Sequence, residues 1–151
     1  MSEVLIRPAR PGDAERLREI ARAAYAKYIP RLGREPTPMS ADYAAAVAAG
    51  RAVVVVRGDT ILGYLIGRVE DHGSYFIENI AVDPDCQGEG SGARLLRYAM
   101  AEARRLGRSA LRLSTNAAMT ENRALYARFG FVETHRVVEQ GYDRVYMRLS
   151  L

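Results

Sequence analysis

The sequence VDPDCQGEGSGARLLRYAM, residues 82–100, places three glycines at alternate positions immediately before an amphipathic helical pattern. The first N–H groups of a helix have no acceptor within the helix and lie at the positive end of its dipole, which favours anions. Glycine lets a bound group approach the backbone because no Cβ stands in the way. Gly88, Gly90 and Gly92, with the Ser91 hydroxyl as a further donor, therefore predict a pyrophosphate cradle at a helix start.

The same loop contains an acidic residue and admits other interpretations. Glu89 is unfavourable beside a phosphate, so its side chain is expected to point to solvent. The alternative is a glycine-rich connection that has only a structural role and binds no ligand. The spacing of Gly88, Gly90 and Ala93 also fits the G-x-G-x-x-A of a dinucleotide site, but no Asp or Glu ends the strand near Thr115 to bind a ribose. No Gly-Lys-Ser/Thr follows, which excludes a nucleoside-triphosphate loop.

Composition indicates one globular domain over residues 1–151, with 48% hydrophobic and 26% charged residues. No apolar run approaches the roughly 18 residues of a membrane span. The N-terminus has only three consecutive apolar residues before Arg7, so it contains no signal-peptide core. We therefore expect a cytoplasmic protein without a membrane partner.

Cysteine, histidine and charge exclude further classes of site. Cys86 is the single cysteine, so no intrachain disulfide forms, and with only His72 and His135 beside it no metal site is expected. The net charge of +4 suits an anionic partner, but the arginines are scattered and form no run. A nucleic-acid partner is therefore not expected.

The remaining pattern predicts a mixed α/β fold, with a mostly antiparallel central sheet flanked by helices. Strands are predicted at residues 3–8, 52–57, 61–69, 75–82, 109–115, 131–138 and 142–149. Helices are predicted from an Asp13 cap to about Tyr28, from a Ser40 cap to Gly50, from the glycine loop to Gly107, and over Met119–Phe129. The segment IPRLGREPTPM, residues 29–39, is predicted to be a loop.

The same pattern predicts two turns, one parallel strand pair and one buried helix face. Short turns are predicted at Gly58-Asp59 and Gln140-Gly141. The strand before the glycine loop is expected to run parallel to the strand after its helix, because a helix connects them. That helix is expected to bury one apolar face, formed by Leu95, Leu96, Ala99, Ala103 and Leu106.

Two motifs resemble those of the GCN5-related N-acetyltransferase (GNAT) family. Gln87, Gly90 and Gly92 fit its Gln/Arg-x-x-Gly-x-Gly/Ala signature, preceded by the strand end NIAVDP, residues 79–84. ENRALYARFGFVE, residues 121–133, is similar to the family's later helix, and IRPARPGDAERL, residues 6–17, to its first strand and helix. The resemblance covers essentially the whole chain. It implies a GNAT-like domain that transfers an acetyl group from acetyl-coenzyme A to an amine.

The resemblance also implies a cofactor site. The pyrophosphate of acetyl-coenzyme A is expected on the loop Gln87, Gly88, Glu89, Gly90, Ser91, Gly92 and Ala93. The pantetheine arm is expected to pair with the strand Ile80, Ala81 and Val82, where the two parallel strands splay apart. Asn122 is assigned to cofactor contact, as is Asn116, for which an N-cap or turn role is an equal alternative. Arg128, like Arg94 and Arg123, could reach the nucleotide phosphates or be solvated surface.

Tyr126 matches the family tyrosine near the cofactor sulfur. A phenol of pKa about 10 can donate a proton to a leaving thiolate whose conjugate pKa is about 8.5. Glu78 lies on the same strand face as Ile80 and Val82 and is the candidate base, with an arginine salt bridge as the alternative. Cys86 has no neighbouring histidine in the sequence to activate its thiol, so direct transfer is favoured over an acyl-cysteine.

The acceptor site is expected on the first two helices and their loop, where Tyr25, Tyr28, Met39 and Tyr43 cluster beside Asp42. Aromatic rings beside an acid suit a cationic amine, and they suit a packed helical corner equally. The acceptor, a small molecule or a peptide, is left open, as is a homodimer. An acyl-coenzyme A binding module without chemistry and a dinucleotide-binding oxidoreductase are the competing functions.

Overall fold

The structure is a computed structural model that describes residues 3–151. Its strands and longer helices follow one another along the chain in the predicted order. The strands are β1 (Val4–Pro8), β2 (Ala52–Arg57), β3 (Thr60–Val69), β4 (Ser74–Val82), β5 (Ala110–Asn116), β6 (Val132–Glu139) and β7 (Tyr142–Ser150). The α-helices are α1 (Ala14–Tyr25), α2 (Ile29–Leu32), α3 (Tyr43–Ala48), α4 (Ser91–Arg105) and α5 (Thr120–Phe129).

The strands follow the order β1-β2-β3-β4-β5-β7-β6 in a seven-stranded mixed sheet. β4 and β5 are parallel and pair Ser74–Ile77 with Ala110–Leu113, the first four residues of each strand. The pairs β1–β2, β2–β3, β5–β7 and β6–β7 are antiparallel. The predicted mixed fold and the predicted parallel pair around the glycine loop are both confirmed.

The chain forms two compact units. The first unit comprises residues 3–67 and 79–98, and the second comprises Arg68–Glu78 and Ala99–Leu151. β3, β4 and α4 each continue from one unit into the other. Within residues 3–151, no helix combines the length and the apolar character needed to cross a membrane.

The core of the first unit contains residues of α1 and of the sheet. Leu17, Ile20 and Ala21 of α1 are fully buried, as their helical spacing predicts, and so are Val54 and Leu65 of β2 and β3. α1 packs against α3 and against the 3₁₀ turn Thr37–Ser40. Residues 29–39, predicted to be a loop, contain the short helix α2 and most of this 3₁₀ turn, so the loop prediction is wrong for those residues.

Of the two predicted helix caps, Asp13 lies at the predicted position and Ser40 is wrong. Asp13 is the residue directly before α1, but its carboxylate forms no capping bond to that helix. It accepts instead from Arg7 Nη1 and from the Arg10 amide, both at 2.8 Å, the second bond being part of a capping box of the 3₁₀ turn Pro11–Asp13. The helix predicted to begin after Ser40 begins at Tyr43, and its cap is Asp42 instead of Ser40. Asp42 Oδ1 accepts from the Ala45 amide at 3.0 Å. Ser40 lies in the preceding 3₁₀ turn, because the prolines before it support that turn.

The second unit has its core around β5 and β7. Leu111, Leu113, Val145 and Met147 are buried there. The β6–β7 turn at Gln140-Gly141 is confirmed, with φ of 53° and 84° at its two residues.

On α4, Leu95, Leu96, Ala99 and Ala103 are buried as predicted. Leu106 is 37% exposed because the helix has already ended at Arg105 and the chain turns at Gly107 with a φ of 72°.

Candidate functional site

The turn that follows β4 and leads into the glycine loop is held to β3 in the first unit. The Asp83 amide donates to the Leu62 carbonyl at 2.8 Å. The Asp83 carboxylate in turn accepts from the Asp85 amide at 2.9 Å, which starts the 3₁₀ turn Pro84–Cys86. The loop therefore leaves the sheet from a fixed point.

Two of the three loop glycines are required by backbone conformation. Gly88 and Gly90 have φ of 86° and 83°, in the left-handed region that other residues rarely adopt. A Cβ on either would meet no atom within 4 Å, so the conformation and not crowding demands glycine. Gly92 has no such conformation, and a Cβ there would lie 3.9 Å from Val82 Cγ2.

The start of α4 presents backbone donors. The Arg94 amide donates to the Gly90 carbonyl at 3.0 Å, the first bond of the helix. The amides of Ser91, Gly92 and Ala93 precede it and by helix geometry have no acceptor within the helix. Gly88 and Gly90, which precede these amides, carry no Cβ that could obstruct a ligand. The loop and this helix start therefore offer backbone donors that suit a phosphate group.

Two acidic side chains of this region, Asp83 and Glu89, are paired with arginines of the first unit. Arg16 Nη2 lies 2.5 Å from Asp83 Oδ2. The Glu89 side chain is exposed, as predicted, and its carboxylate forms an ion pair with Arg57 at the end of β2. Burial and then the negative charges of Asp83 and Glu89 raise the pKa of the Cys86 thiol. A less acidic thiol is a weaker candidate for covalent catalysis, which agrees with the expectation of direct transfer.

β4 alternates as predicted. Glu78, Ile80 and Val82 are half-buried, whereas Asn79 and Ala81 between them are buried. The Tyr25 hydroxyl donates to the Ile80 carbonyl at 2.9 Å. The strand assigned to the pantetheine arm is therefore tied to α1 by a side chain of the predicted acceptor region.

Beneath β4 the first unit contains a ring of buried polar side chains that the sequence did not reveal. The Tyr64 hydroxyl donates to Asn79 Oδ1 at 2.8 Å, and Asn79 Nδ2 donates to the Tyr43 hydroxyl at 2.9 Å. The two hydroxyls lie 3.1 Å apart. Burial raises the pKa of both phenols. Tyr64 and Asn79 read as ordinary strand residues, since their partner Tyr43 is distant in the sequence.

The four residues predicted for acceptor binding are all buried. Tyr25, Tyr28, Met39 and Tyr43 are 8%, 2%, 4% and 0% exposed. Tyr43 also donates to the Pro38 carbonyl at 2.5 Å, and Asp42 is occupied as the α3 cap. These contacts agree with the alternative of a packed helical corner, which the sequence left open.

Tyr126 of the second unit lies on α5 and is 6% exposed. Its ring packs edge-on against Phe131, with centroids 5.8 Å apart. Asn122 Nδ2 contacts Met119 Sδ at 3.8 Å. Asn116 Oδ1 accepts from the Ala118 amide at 3.4 Å, which is the turn role given as its alternative.

Two charged candidates of the second unit, Glu78 and Arg123, form ion pairs. Glu78 Oε1 accepts from Arg68 Nη1 at 2.9 Å, so the alternative of an arginine salt bridge is realised. Arg123 binds Glu133 at 2.7 Å, whereas Arg128 is exposed. His72 is exposed in a turn, and His135 is exposed on β6, where its ring stacks on Tyr146 with centroids 4.6 Å apart.

A family model for the acetyltransferase (GNAT) family matches residues 14–131, which is more than half of the chain. The chain belongs to the GNAT acetyltransferase family. The resemblance found in the two sequence motifs is therefore confirmed. No curated protein matches the sequence.

Solved structures confirm the GNAT fold. The paia N-acetyltransferase from Thermoplasma acidophilum in complex with coenzyme A has a TM-score of 0.82 at 16% identity, covering 99% of each chain. The yncA protein from Salmonella typhimurium with its cofactor acetyl-CoA has a TM-score of 0.74 at 22% identity, covering 99% of this chain and 95% of its own. The ribosomal-protein-S18-alanine N-acetyltransferase from Escherichia coli has a TM-score of 0.74 at 22% identity, covering 98% and 94%.

The cofactor of this GNAT chain is acetyl-CoA, as expected from its family. The glycine loop fits the group, since its positive-φ glycines and the start of α4 offer backbone donors to a diphosphate. Family membership removes the support for a dinucleotide-binding oxidoreductase.

Proposed function

We propose that this chain transfers the acetyl group of acetyl-CoA to a primary amine of a small molecule or peptide by direct attack of the amine. The observation that carries the proposal is the loop Gly88–Gly90 at the start of α4, in a chain of the GNAT family. The loop amides from Gln87 to Ala93 would hold the diphosphate, and the backbone of Ile80, Ala81 and Val82 would pair with the pantetheine arm.

Bound acetyl-CoA supplies an acetyl group as a thioester. Glu78 would accept a proton from the ammonium form of the acceptor, either directly or through a water, so that the nitrogen carries a lone pair. The nitrogen would attack the thioester carbonyl carbon, and the C–S bond would break once the C–N bond has formed. Tyr126 would donate its phenol proton to the departing sulfur, whose conjugate acid has a pKa of about 8.5. The nitrogen would then lose its surplus proton to the Tyr126 phenolate, directly or through a water, which leaves the amide, the coenzyme A thiol and a neutral tyrosine. The transfer is proposed without an acyl-cysteine, since burial and the charges of Asp83 and Glu89 raise the pKa of the Cys86 thiol and so make it a weaker nucleophile.

Side chains around these groups have supporting roles. Asn122 and Asn116 would contact the cofactor near α5 and the end of β5, and Arg128 would meet its nucleotide phosphates. Tyr25, Tyr28, Met39 and Tyr43 would shape the acceptor site from beneath, since they are buried and cannot offer their full surface to a substrate. The solved structures similar to this chain include the ribosomal-protein-S18-alanine N-acetyltransferase, which supports a test panel that contains peptides.

Two measurements test the proposal in sequence. Titration calorimetry with coenzyme A should give a binding isotherm. A flat trace at high micromolar protein would contradict the proposal that the chain binds acetyl-CoA as its acetyl donor. Release of coenzyme A thiol across a panel of amines and peptide N-termini should then identify an acceptor. Tyr126→Phe should lower kcat by about a hundredfold with little change in the Kd of coenzyme A. Binding without thiol release for any amine would instead favour the acyl-CoA-binding module.

Glu78→Gln tests the base. It should lower kcat more at neutral pH than at high pH, where the free amine is already abundant. Arg68→Ala provides the matched control, because it removes the ion-pair partner of Glu78 and leaves the carboxylate. An equal loss for Glu78→Gln at every pH would assign the carboxylate to structure and leave proton removal to water.

A further inference from the structure

The glycine loop has an unfavourable charge for the ligand that it should hold. Residues 82–93 contain Asp83, Asp85 and Glu89 and no basic residue, so the segment carries three carboxylates. Coenzyme A brings a diphosphate with its own negative charges to this segment. Like charges at short range oppose binding, by amounts that grow as water is excluded from the contact.

Arginines from distant parts of the sequence offset this charge in the first unit. Arg16 of α1 binds Asp83 and also donates to the Ile61 carbonyl at 3.2 Å. Arg57, the last residue of β2, binds Glu89. Their roles differ because Asp83 lies in the turn before the loop, whereas Glu89 lies between the two positive-φ glycines Gly88 and Gly90.

We propose that Arg57 is a positioning residue for the cofactor, because its ion pair cancels the Glu89 carboxylate at the point where the loop receives the diphosphate. The inference rests on the proposed function. Both side chains are about two-fifths exposed, with 42% for Arg57 and 37% for Glu89, so their pair adds little to folding. Its effect should appear when a second anion arrives.

The pair also sets where the Glu89 side chain points. Glycines on both sides give this part of the backbone no side-chain packing, and a Cβ at either glycine would meet no atom within 4 Å. The Arg57 guanidinium holds the carboxylate toward the end of β2. Without Arg57, the carboxylate is both uncompensated and released to approach the amides that should bind phosphate.

Cys86 reports on this charge balance without any ligand. It is the single cysteine of the chain, so a thiol reagent reads one site. Its pKa is raised by burial, by Asp83 and by Glu89, and lowered by Arg16 and Arg57. Arg57→Ala should therefore slow the reaction of Cys86 at neutral pH, and Glu89→Gln should speed it, if the charges lie as described.

A double-mutant cycle tests the proposal by calorimetry with coenzyme A on the wild type, Arg57→Ala, Glu89→Gln and the double variant. Arg57→Ala should raise the Kd about tenfold at low salt and less at high salt. Glu89→Gln alone should not weaken binding, and in the double variant it should restore a Kd near that of the wild type. Arg136→Ala is the matched control, since it breaks an exposed pair with Asp143 far along the chain.

Pantetheine, which lacks the diphosphate, should bind Arg57→Ala and the wild type equally. Thermal unfolding of each variant checks that all four are folded. An unchanged Kd for Arg57→Ala overturns the inference while the proposed function stands. A double variant as weak as Arg57→Ala also overturns it, because Arg57 would then contact the cofactor directly. A wild type that fails to bind coenzyme A overturns the proposed function itself.

Discussion

The Tyr25 hydroxyl donates a hydrogen bond to the Ile80 carbonyl at 2.9 Å. Tyr25 ends α1, which the sequence assigns to the acceptor side, and Ile80 lies on the strand assigned to the pantetheine arm. One bond therefore fixes the backbone position of a proposed cofactor residue from the side of the helix.

Tyr25→Phe should lower the free energy of unfolding by about 1 kcal/mol, because the half-buried Ile80 carbonyl loses its donor. It should also raise the Kd of coenzyme A, since the strand at Ile80 is held less firmly. Urea unfolding and calorimetry measure the two effects. Tyr28→Phe is the matched control, a buried tyrosine of the same corner, and equal coenzyme A affinities for the two variants would contradict the prediction.

Gly63→Ala should destabilise the protein by about 1–3 kcal/mol through overpacking. A Cβ at Gly63 would lie 2.7 Å from the Ala81 carbonyl oxygen and 3.2 Å from Val82 Cα. Both are backbone atoms of β4 and cannot rotate away, so the strand itself must move. Coenzyme A binding should weaken with it. Gly12→Ala, where a Cβ meets no atom within 4 Å, should stay close to the wild type in urea unfolding and in calorimetry.

Gly90→Ala separates backbone strain from ligand binding. Gly90 has a φ of 83°, and Gly107 has a φ of 72° after α4, and neither site crowds a Cβ. Alanine at either position should therefore cost about 1–2 kcal/mol of unfolding free energy. Only Gly90→Ala should weaken coenzyme A binding. Equal Kd values for the two variants would argue that the loop conformation has no part in binding.

Stability near the loop should depend on acid through Asp83. The Asp85 amide, followed by the Arg16 guanidinium, lowers the pKa of Asp83. A carboxyl with a lowered folded-state pKa stabilises above its ordinary pKa of about 4, and that stabilisation is lost as the pH falls through the folded-state value. The unfolding free energy of the wild type should thus exceed that of Asp83→Asn at pH 7, with a gap that closes below about pH 4. A gap that is constant down to pH 3 would contradict this assignment.

Local signals in the sequence were sufficient for most of the fold. Gln140-Gly141 predicts its hairpin because both residues tolerate positive φ, and the spacing of Leu17, Ile20 and Ala21 predicts the buried face of α1. Helix ends were less predictable. Asp42 and Ser40 are both good caps by residue type, and only the path of the 3₁₀ turn before α3 decides between them.

The site was predictable where one stretch of chain forms it and not where distant residues meet. The glycine loop could be read from residues 87–93 alone. The partner of Glu89 could not, because Arg57 is 32 positions away and exposed arginines are common. The buried ring of Tyr43, Tyr64 and Asn79 was missed for the same reason, and its members were read as an aromatic acceptor residue and as ordinary strand residues.

The amide spectrum of ¹⁵N-labelled protein, titrated with coenzyme A and separately with pantetheine, tests most directly whether the loop holds the diphosphate. The signals of Gly88, Gly90, Ser91 and Gly92 should shift with coenzyme A and stay in place with pantetheine. Loop signals that remain unchanged while coenzyme A binds elsewhere on the protein, or that respond equally to pantetheine, would contradict diphosphate binding by the loop.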